Sequence, residues 1–410
     1  MKEIQILPSK SEAHRVIIAA GLCKNPTTVE LTETSNDIEA TRKCMKEIQQ
    51  TLESQCDDVN FPAQLYCGES GSTFRFLIPL VTALGIHGIF HPEGRLPKRP
   101  LSPMYEELIS HGATLSPCGT VPFEVSGPLN PGEYTIPGNV SSQYITGLLF
   151  ALPLLSGDSI LRVTGELQSE GYVEMTLRVL KRFGIHIEVE RVNDGTIYRI
   201  RGNQKYQSPE VLPVEGDWSN AAFWIVAGII GEEPIRITGL NPESAQGDRQ
   251  IVELVEQFGG QIETNGDAVI AYPSRERLSG IKINAAQIPD MVPALALLGT
   301  QADGITEICH AERLRLKESD RLKSVTEVLN ALGASINERE DGLTIQGRSS
   351  LKGAVISSHN DHRIAMMAAI ASLVTDGNVT IEGAESVNKS YPTFFKIMNE
   401  NAMSDNIERR

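Results

Sequence analysis

Six times along the chain, a short polar or glycine-containing start runs straight into a helix-length apolar stretch. The stretches are Ser11 to Leu22, Gly71 to about Leu84, Ser141 to Leu155, Asp217 to Ile230, Pro289 to Leu298 and Asn360 to Val374. Their starts recur at intervals of roughly 60 to 77 residues, which marks an internal repeat. Apolar residues fall on most faces of each helix, so each is expected to be buried on most sides, flanked by sheets.

A second pattern alternates with the first. An amphipathic helix is followed by glycine and then by two alternating strands. It occurs at Met104 to His111 with Gly112, at Val173 to Phe183 with Gly184, at Ile251 to Phe258 with Gly259, and at Leu322 to Leu332 with Gly333. The glycines suit helix C-caps, and Asp194-Gly195 and Asp341-Gly342 suit hairpin turns. The chain therefore reads as six related α/β repeats, three to a domain. Parallel buried helices within a domain would bring their positive N-terminal ends together. The strand pair expected between the first two buried helices is not evident from Asp37 to Glu69, so the first repeat is expected to be shortened. Pro209 and Pro213 punctuate a polar stretch, which puts the domain boundary near Glu210 to Gly216.

A length of 410 residues agrees with two domains. The apolar and charged fractions, 40% and 22%, are those of a globular protein. A net charge of −15 with no basic tract argues against nucleic acid as a partner. An anionic ligand would need a locally cationic cleft. Cysteines 23, 44, 56, 67, 118 and 309 show neither C-x-x-C nor metal-ligand spacing and read as reduced thiols. With no secretory h-region and no apolar run of membrane length, neither export nor a membrane partner is indicated, and a cytoplasmic location is expected.

Candidate chemistry gathers at the helix starts. The first offers Lys10, Ser11 and Arg15, the second Gly71, Ser72 and Arg75, and the third Ser141, Ser142 and Gln143. The fifth offers Asp290, and the sixth His362 and Arg363. Capping accounts for Ser72, Ser141 and Asp361. It does not account for Lys or Arg in a first turn, where a cation opposes the helix dipole unless an anion compensates. The proline-rich loop from Gly94 to Pro100 adds Arg95, Lys98 and Arg99, suited to clamping a phosphate or carboxylate. The densest cluster is Arg313 to Arg321. There the spacing predicts Lys317 and Arg321 on one helix face with Glu318 beside them, a carboxylic acid among cations fit for proton transfer. Asp290 would be a second, separate carboxylate. No Ser-His-Asp or Cys-His nucleophile pattern, Walker loop or GxGxxG stands out.

Pro8-Ser-Lys-Ser with Arg15, Gly71-Ser with Arg75, Ser141-Ser-Gln143, Leu316-Lys-Glu-Ser-Asp-Arg321 and Asn360-Asp-His-Arg363, in this order, closely resemble the 5-enolpyruvylshikimate-3-phosphate synthase family over nearly the whole chain. The resemblance implies a two-lobed α/β enolpyruvyl transferase fold, with three βαβαββ-type repeats per lobe around buried parallel helices. It implies one lobe of residues 10–215 and a second of 1–9 plus 216–410, with the active site in the cleft between them. It implies transfer of the enolpyruvyl group of phosphoenolpyruvate to the 5-hydroxyl of shikimate-3-phosphate, a step of aromatic amino acid and chorismate biosynthesis. Phosphate would leave through a tetrahedral intermediate, without metal or cofactor, in a monomer.

By the same resemblance Lys10, Asp290, Glu318 and His362 would be catalytic. Asp290 would face the 5-hydroxyl, and Glu318 would protonate the methylene. Shikimate-3-phosphate would meet Lys10, Ser11, Arg15, Ser141, Ser142, Gln143, Ser169, Tyr172, Asp290 and Lys317. Phosphoenolpyruvate would meet Lys10, Gly71, Arg99, Gln143, Arg321, Arg363 and Lys389. Two positions depart from the family pattern, Glu69 and Arg313, each where Asn is common; Arg313 is the expected partner of Glu69. The alternatives are UDP-N-acetylglucosamine enolpyruvyl transferase and a non-catalytic phosphometabolite-binding homologue. The first is disfavoured because the loop from Gly94 to Pro100 lacks Cys and Lys10 is followed by Ser11. The second is disfavoured because Lys10, Asp290 and Glu318 are all present.

Overall fold

Helices that are apolar all round can only be interior helices, because no face of them suits water. The computed structural model, which describes residues 1–55 and 61–410, shows them so. The helices in chain order are α1 (Lys10–Gly21), α2 (Asn36–Gln55), α3 (Gly71–Ala83), α4 (Met104–Ser110), α5 (Ser142–Ala151) and α6 (Glu170–Arg182). There follow α7 (Trp218–Ile230), α8 (Ile251–Phe258), α9 (Val292–Gln301), α10 (Arg321–Ala331), α11 (His362–Ala371) and α12 (Phe394–Glu400). Every residue of α7, α9 and α11 is buried, His362 and Arg363 included. Each fully buried Phe, Ile or Leu among them contributes about 1.5–3 kcal/mol over its exposed state. The even-numbered helices are amphipathic and lie outside.

The chain divides into two compact units, Lys10–Val214 and Met1–Ser9 with Glu215–Arg410. Each has its own hydrophobic core. One repeat recurs: a strand, a buried helix, a strand parallel to the first, an amphipathic helix, and an antiparallel hairpin. In the unit Lys10–Val214 it builds the sheet of Ala63–Gly68, Gly88–Pro92, Phe123–Ser126 and Thr114–Leu115, in that spatial order, and that of Glu133–Pro137, Ser159–Thr164, Gly195–Ile200 and Ile187–Val192. In the other unit it builds the sheet of Lys282–Asn284, Ile305–Cys309, Leu343–Gln346 and Ser335–Glu338. Gly259 and Gly333, just past α8 and α10, take φ of 91° and 95°, the left-handed turn that lets the chain double back into the hairpin.

The remaining repeats vary the theme. The sheet containing Ile235–Thr238 draws its leading strand from the N-terminus, with Lys2 paired to Ile235 and Gln5 to Thr238. The first repeat takes its leading strand from Val211–Pro213, which pairs in parallel with Thr28–Glu30. It is the shortened repeat: among the described residues its sheet has two strands. The last repeat closes with a strand, Ile407–Arg409, that is parallel to its neighbour where the four-stranded sheets have a hairpin.

Among the described residues, cysteines 23, 44, 67, 118 and 309 are free, and burial pushes the Cys44 thiol up to about 12. Cys56 lies outside the described residues. Among the described residues no helix is long and apolar enough to cross a membrane, and no group of His, Cys, Asp and Glu is arranged to hold a metal ion.

Candidate active site

The unit Lys10–Val214 brings the starts of its buried helices together. Lys10 opens α1, and its Nζ lies 2.9 Å from Oδ2 of Asp37 in the first turn of α2. The carboxylate offsets a cation that the dipole of α1 would otherwise disfavour. Sequence reasoning missed Asp37, although an acid in the first turn of an amphipathic helix is its usual signal. Arg15, one turn on, is buried and ties three helices together. Its Nε donates to Thr176 Oγ1 (2.8 Å), Nη1 to the Ser11 carbonyl (2.5 Å), and Nη2 to Thr146 Oγ1 (3.3 Å) and the Tyr172 carbonyl (3.0 Å). Burial lowers its pKa to about 10, with Tyr172 and Glu12 opposing the shift.

Behind Arg15, His14 Nδ1 is 2.6 Å from Thr41 Oγ1. Burial, then Lys10 and Arg15, hold this imidazole well below the usual range, so it stays neutral. Ser141 caps α5, its side chain accepting from the Gln143 amide, and Ser142 is buried beside it. Ser169 starts α6 with a left-handed backbone (φ 56°) and is also buried. A left-handed serine is uncommon and persists where its surroundings hold it.

A cationic pocket forms around Gly71. A Cβ there would stand 2.9 Å from Arg99 Nη1 and 3.0 Å from Arg75 Nη1, so the two guanidiniums crowd the space a side chain would fill. Arg75 Nη1 donates to Gln143 Oε1 (2.9 Å), and Gln143 Nε2 to Ser72 Oγ (3.1 Å). Of the three loop cations, Arg95 and Lys98 are exposed, whereas Arg99 turns inward behind the buried Leu96. The expectation that Ser72 caps α3 is corrected: Ser70 is the cap and accepts from the Thr73 amide, which leaves Ser72 to hold Gln143. Glu69 lies against Gly94, where an added Cβ would come within 2.5 Å of its Oε2. Arg313, its expected partner, is carried by the other unit.

In the unit containing Glu215–Arg410, one guanidinium organises the site. Arg321 is 1% exposed and bonds three carboxylates. Its Nη1 donates to Asp290 Oδ1 (2.7 Å), Nη2 to Glu318 Oε2 (2.7 Å), and Nε to Asp361 Oδ2 (2.8 Å). Burial opposes the charge, but Asp361, Glu318 and Asp290 together outweigh it and raise the pKa above the ordinary arginine value. Lys317 Nζ adds a second cation, 3.3 Å from Asp290 Oδ1. Burial pushes the Lys317 ammonium down, with Asp290 opposing the shift.

The helix expected to carry Lys317, Glu318 and Arg321 together is corrected. Asp320 caps α10, accepting from the Lys323 amide, so the helix begins at Arg321. Lys317 and Glu318 lie on the turn ahead of it, and Asp290 rather than a helix face joins Lys317 to Arg321. The carboxylate expected to stand apart, Asp290, shares Arg321 with Glu318.

Asp361, treated in the sequence as a cap alone, is both cap and hub. It accepts from the Arg363 amide (3.0 Å), Ser319 Oγ (3.0 Å) and Arg321. His362 is buried with Nδ1 3.7 Å from Asp361 Oδ1. Arg363 Nη2 stands 3.5 Å from Asp290 Oδ2, and its Nη1 donates to the Asp290 carbonyl (3.2 Å). Lys389 Nζ donates to the Asn360 carbonyl (2.6 Å), which is turned toward it by left-handed backbone at His359 and Asn360. Two acids of different surroundings, bound to one cation, can move protons in opposite directions.

Both cationic groups suit anionic substrates, and comparison with known proteins points the same way. The family model for EPSP synthase (3-phosphoshikimate 1-carboxyvinyltransferase) matches residues 1–398. The chain is 42% identical over 408 residues to the 3-phosphoshikimate 1-carboxyvinyltransferase of Clostridium kluyveri, covering 96% of this chain and 93% of that one. Identity to the Clostridium novyi enzyme of the same name is 42% over 413 residues, with the same coverage. Among solved structures, the EPSP synthase from Acinetobacter baumannii matches with a TM-score of 0.75 at 25% identity, over 98% of this chain and 96% of that one. The enolpyruvyl transferase NikO from Streptomyces tendae has the same fold, with a TM-score of 0.75 at 17% identity over 98% and 95% of the two chains. Repeat architecture, helix-start chemistry and these likenesses converge: the chain belongs to the EPSP synthase family of enolpyruvyl transferases.

Proposed function

We propose that the protein transfers the enolpyruvyl group of phosphoenolpyruvate to the 5-hydroxyl of shikimate-3-phosphate and releases inorganic phosphate. The observation that carries this reading is the linkage of Asp290 and Glu318 through Arg321. Asp290 takes the hydroxyl proton as the oxygen bonds to C2 of phosphoenolpyruvate. Glu318 gives a proton to the methylene carbon. In the second half, the new methyl group returns a proton to Glu318 and the C–O bond to phosphate breaks. The proton that Asp290 took leaves with the phosphate, as hydrogen phosphate, so the protons balance. Lys10 stabilises the charge that develops on the phosphate side, freed from Asp37 as the substrates arrive. Arg75 and Arg99 at Gly71, with Gln143, receive phosphoenolpyruvate; Ser141, Ser142, Ser169 and the Arg15–Tyr172 region receive shikimate-3-phosphate. His362 keeps Asp361, and through it Arg321, in place.

The test is phosphate release. Folded protein should liberate phosphate when shikimate-3-phosphate and phosphoenolpyruvate are supplied together, and none with either alone. Absence of release with both present would overturn the reading.

A further inference from the structure

Asp248 is a buried carboxyl that none of the roles above employs. It occupies the single turn Gly247–Gln250 ahead of α8 and is 2% exposed. That turn is pressed against the segment leading to Asp290: a Cβ at Gly247 would come within 2.9 Å of the Gln287 carbonyl oxygen. On the other side the first turn of α7 supplies Ser219, whose hydroxyl donates to Asp248 Oδ2. The charged groups whose fields reach Asp248 are Asp290, Arg363 from the start of α11, and Asp217, the cap of α7. Arg363 also contacts Asp290, with Nη2 3.5 Å from Oδ2. A buried carboxyl and a half-buried one that feel each other's charge do not ionise independently; their protons come off as those of a pair.

We propose that Asp248 is a positioning residue for the transfer reaction, a buried partner carboxyl that, held by Ser219 and within the fields of Asp290 and Arg363, determines how charge is divided between itself and Asp290. This rests on the reading of Asp290 as the group that deprotonates the substrate hydroxyl. Burial, and next the charge of Asp290, push the Asp248 carboxyl up to about 7, against Arg363 and Ser219. While Asp248 keeps its proton, the negative charge of the pair is left to Asp290. When the substrate hydroxyl gives its proton to Asp290, the O–H bond breaks and the pair becomes neutral, with a proton on each carboxyl. Above the titration of Asp248 both carboxyls are charged, and Asp290 becomes a stronger base.

The experiment compares wild type, Asp248→Asn and Ser219→Ala by two readouts. The first is the pH profile of phosphate release with both substrates. Wild type should show an inflection near pH 7, Asp248→Asn should lose it, and Ser219→Ala should move it to higher pH. The second is infrared difference spectroscopy without substrate, in which a carboxylic acid C=O band should fade as pH rises through the same range in wild type and be missing from Asp248→Asn. An Asp248→Asn profile and spectrum that superimpose on wild type would overturn the proposal. If Asp248→Asn does not fold, an unmoved inflection in Ser219→Ala overturns it instead. Wild-type protein that shows the infrared titration but releases no phosphate would overturn the functional reading while leaving the carboxyl pair in place.

Discussion

Asp290 and Glu318 are bound to the same guanidinium, each 2.7 Å from a different terminal nitrogen of Arg321. Asp290 is further engaged by Lys317 and Arg363. Glu318 to Gln keeps an acceptor for Arg321 but removes the transferable proton. Turnover should fall by roughly 10²–10⁴-fold, the usual weight of a general acid or base, while shikimate-3-phosphate affinity changes little. Titration calorimetry beside steady-state kinetics separates the two; parallel loss of both would make Glu318 structural.

Replacing Arg321 tests the hub. Lys cannot serve three carboxylates, because it offers one point charge where Arg offers a planar fork. Arg321→Lys should leave Asp361 and Asp290 incompletely compensated in a buried setting. Breaking a buried pair in this way costs about 3–5 kcal/mol. Denaturant unfolding monitored at Trp218 and Trp224, both in the unit that carries Arg321, would report the destabilisation. A cost under about 1 kcal/mol would show that Lys317 and Arg363 compensate, since exposed pairs are worth no more than that.

Gly71→Ala probes the anion pocket with a single methyl group. The atoms it meets are the ends of two flexible arginines, so the fold should tolerate it, with stability within about 1 kcal/mol of wild type. The guanidiniums, however, must move. Misplacing a charge-assisted hydrogen bond to the substrate costs about 1.4 kcal/mol or more, so KM for phosphoenolpyruvate should rise at least about tenfold. KM for shikimate-3-phosphate should move far less. Equal rises in both would place Gly71 outside a phosphoenolpyruvate subsite.

Asp248 also makes stability depend on pH. Its folded pKa, about 7, lies above the unfolded value of about 3.9. Between these values the folded state binds the extra proton, so this contribution is full below about pH 4 and is lost as pH rises toward 7. Asp248→Asn should flatten that part of the stability curve. Unfolding midpoints measured from pH 4 to 8 would check the slope; an unchanged slope would mean that Asp248 ionises freely.

The buried helices were legible because all-round apolarity is a property of a local window. The shortened first repeat was legible for the same reason, as a missing strand pattern. What escaped was set by neighbours distant in sequence. Ser70 rather than Ser72 caps α3 because strand Ala63–Gly68 delivers the chain to the helix at that residue. Helical spacing joins Lys317 to Arg321 and draws Glu318 in with them, but Asp320 is the stronger N-cap and delays the helix. Asp37, Asp248 and Asp361 as a hub have no short-range signature beyond lying at helix or turn starts. Their roles arise only when α1 meets α2, and when the starts of α7, α9 and α11 meet.

The parallel pairing of Lys2–Gln5 with Ile235–Thr238 has a consequence for biosynthesis. The first strand leaves the ribosome with its partner still untranslated, 233 residues downstream (Glu3 to Arg236). At 5–20 residues per second the wait is on the order of 10 to 50 s. Throughout it, the nascent chain holds out an unpaired strand with Ile4 in it and Ile6 just past its end, while Lys10–Val214 has time to collapse first. A chaperone that shields the first residues should therefore speed maturation, and a nonsense truncation after Val214 should yield a folded half with a sticky, strand-bearing end.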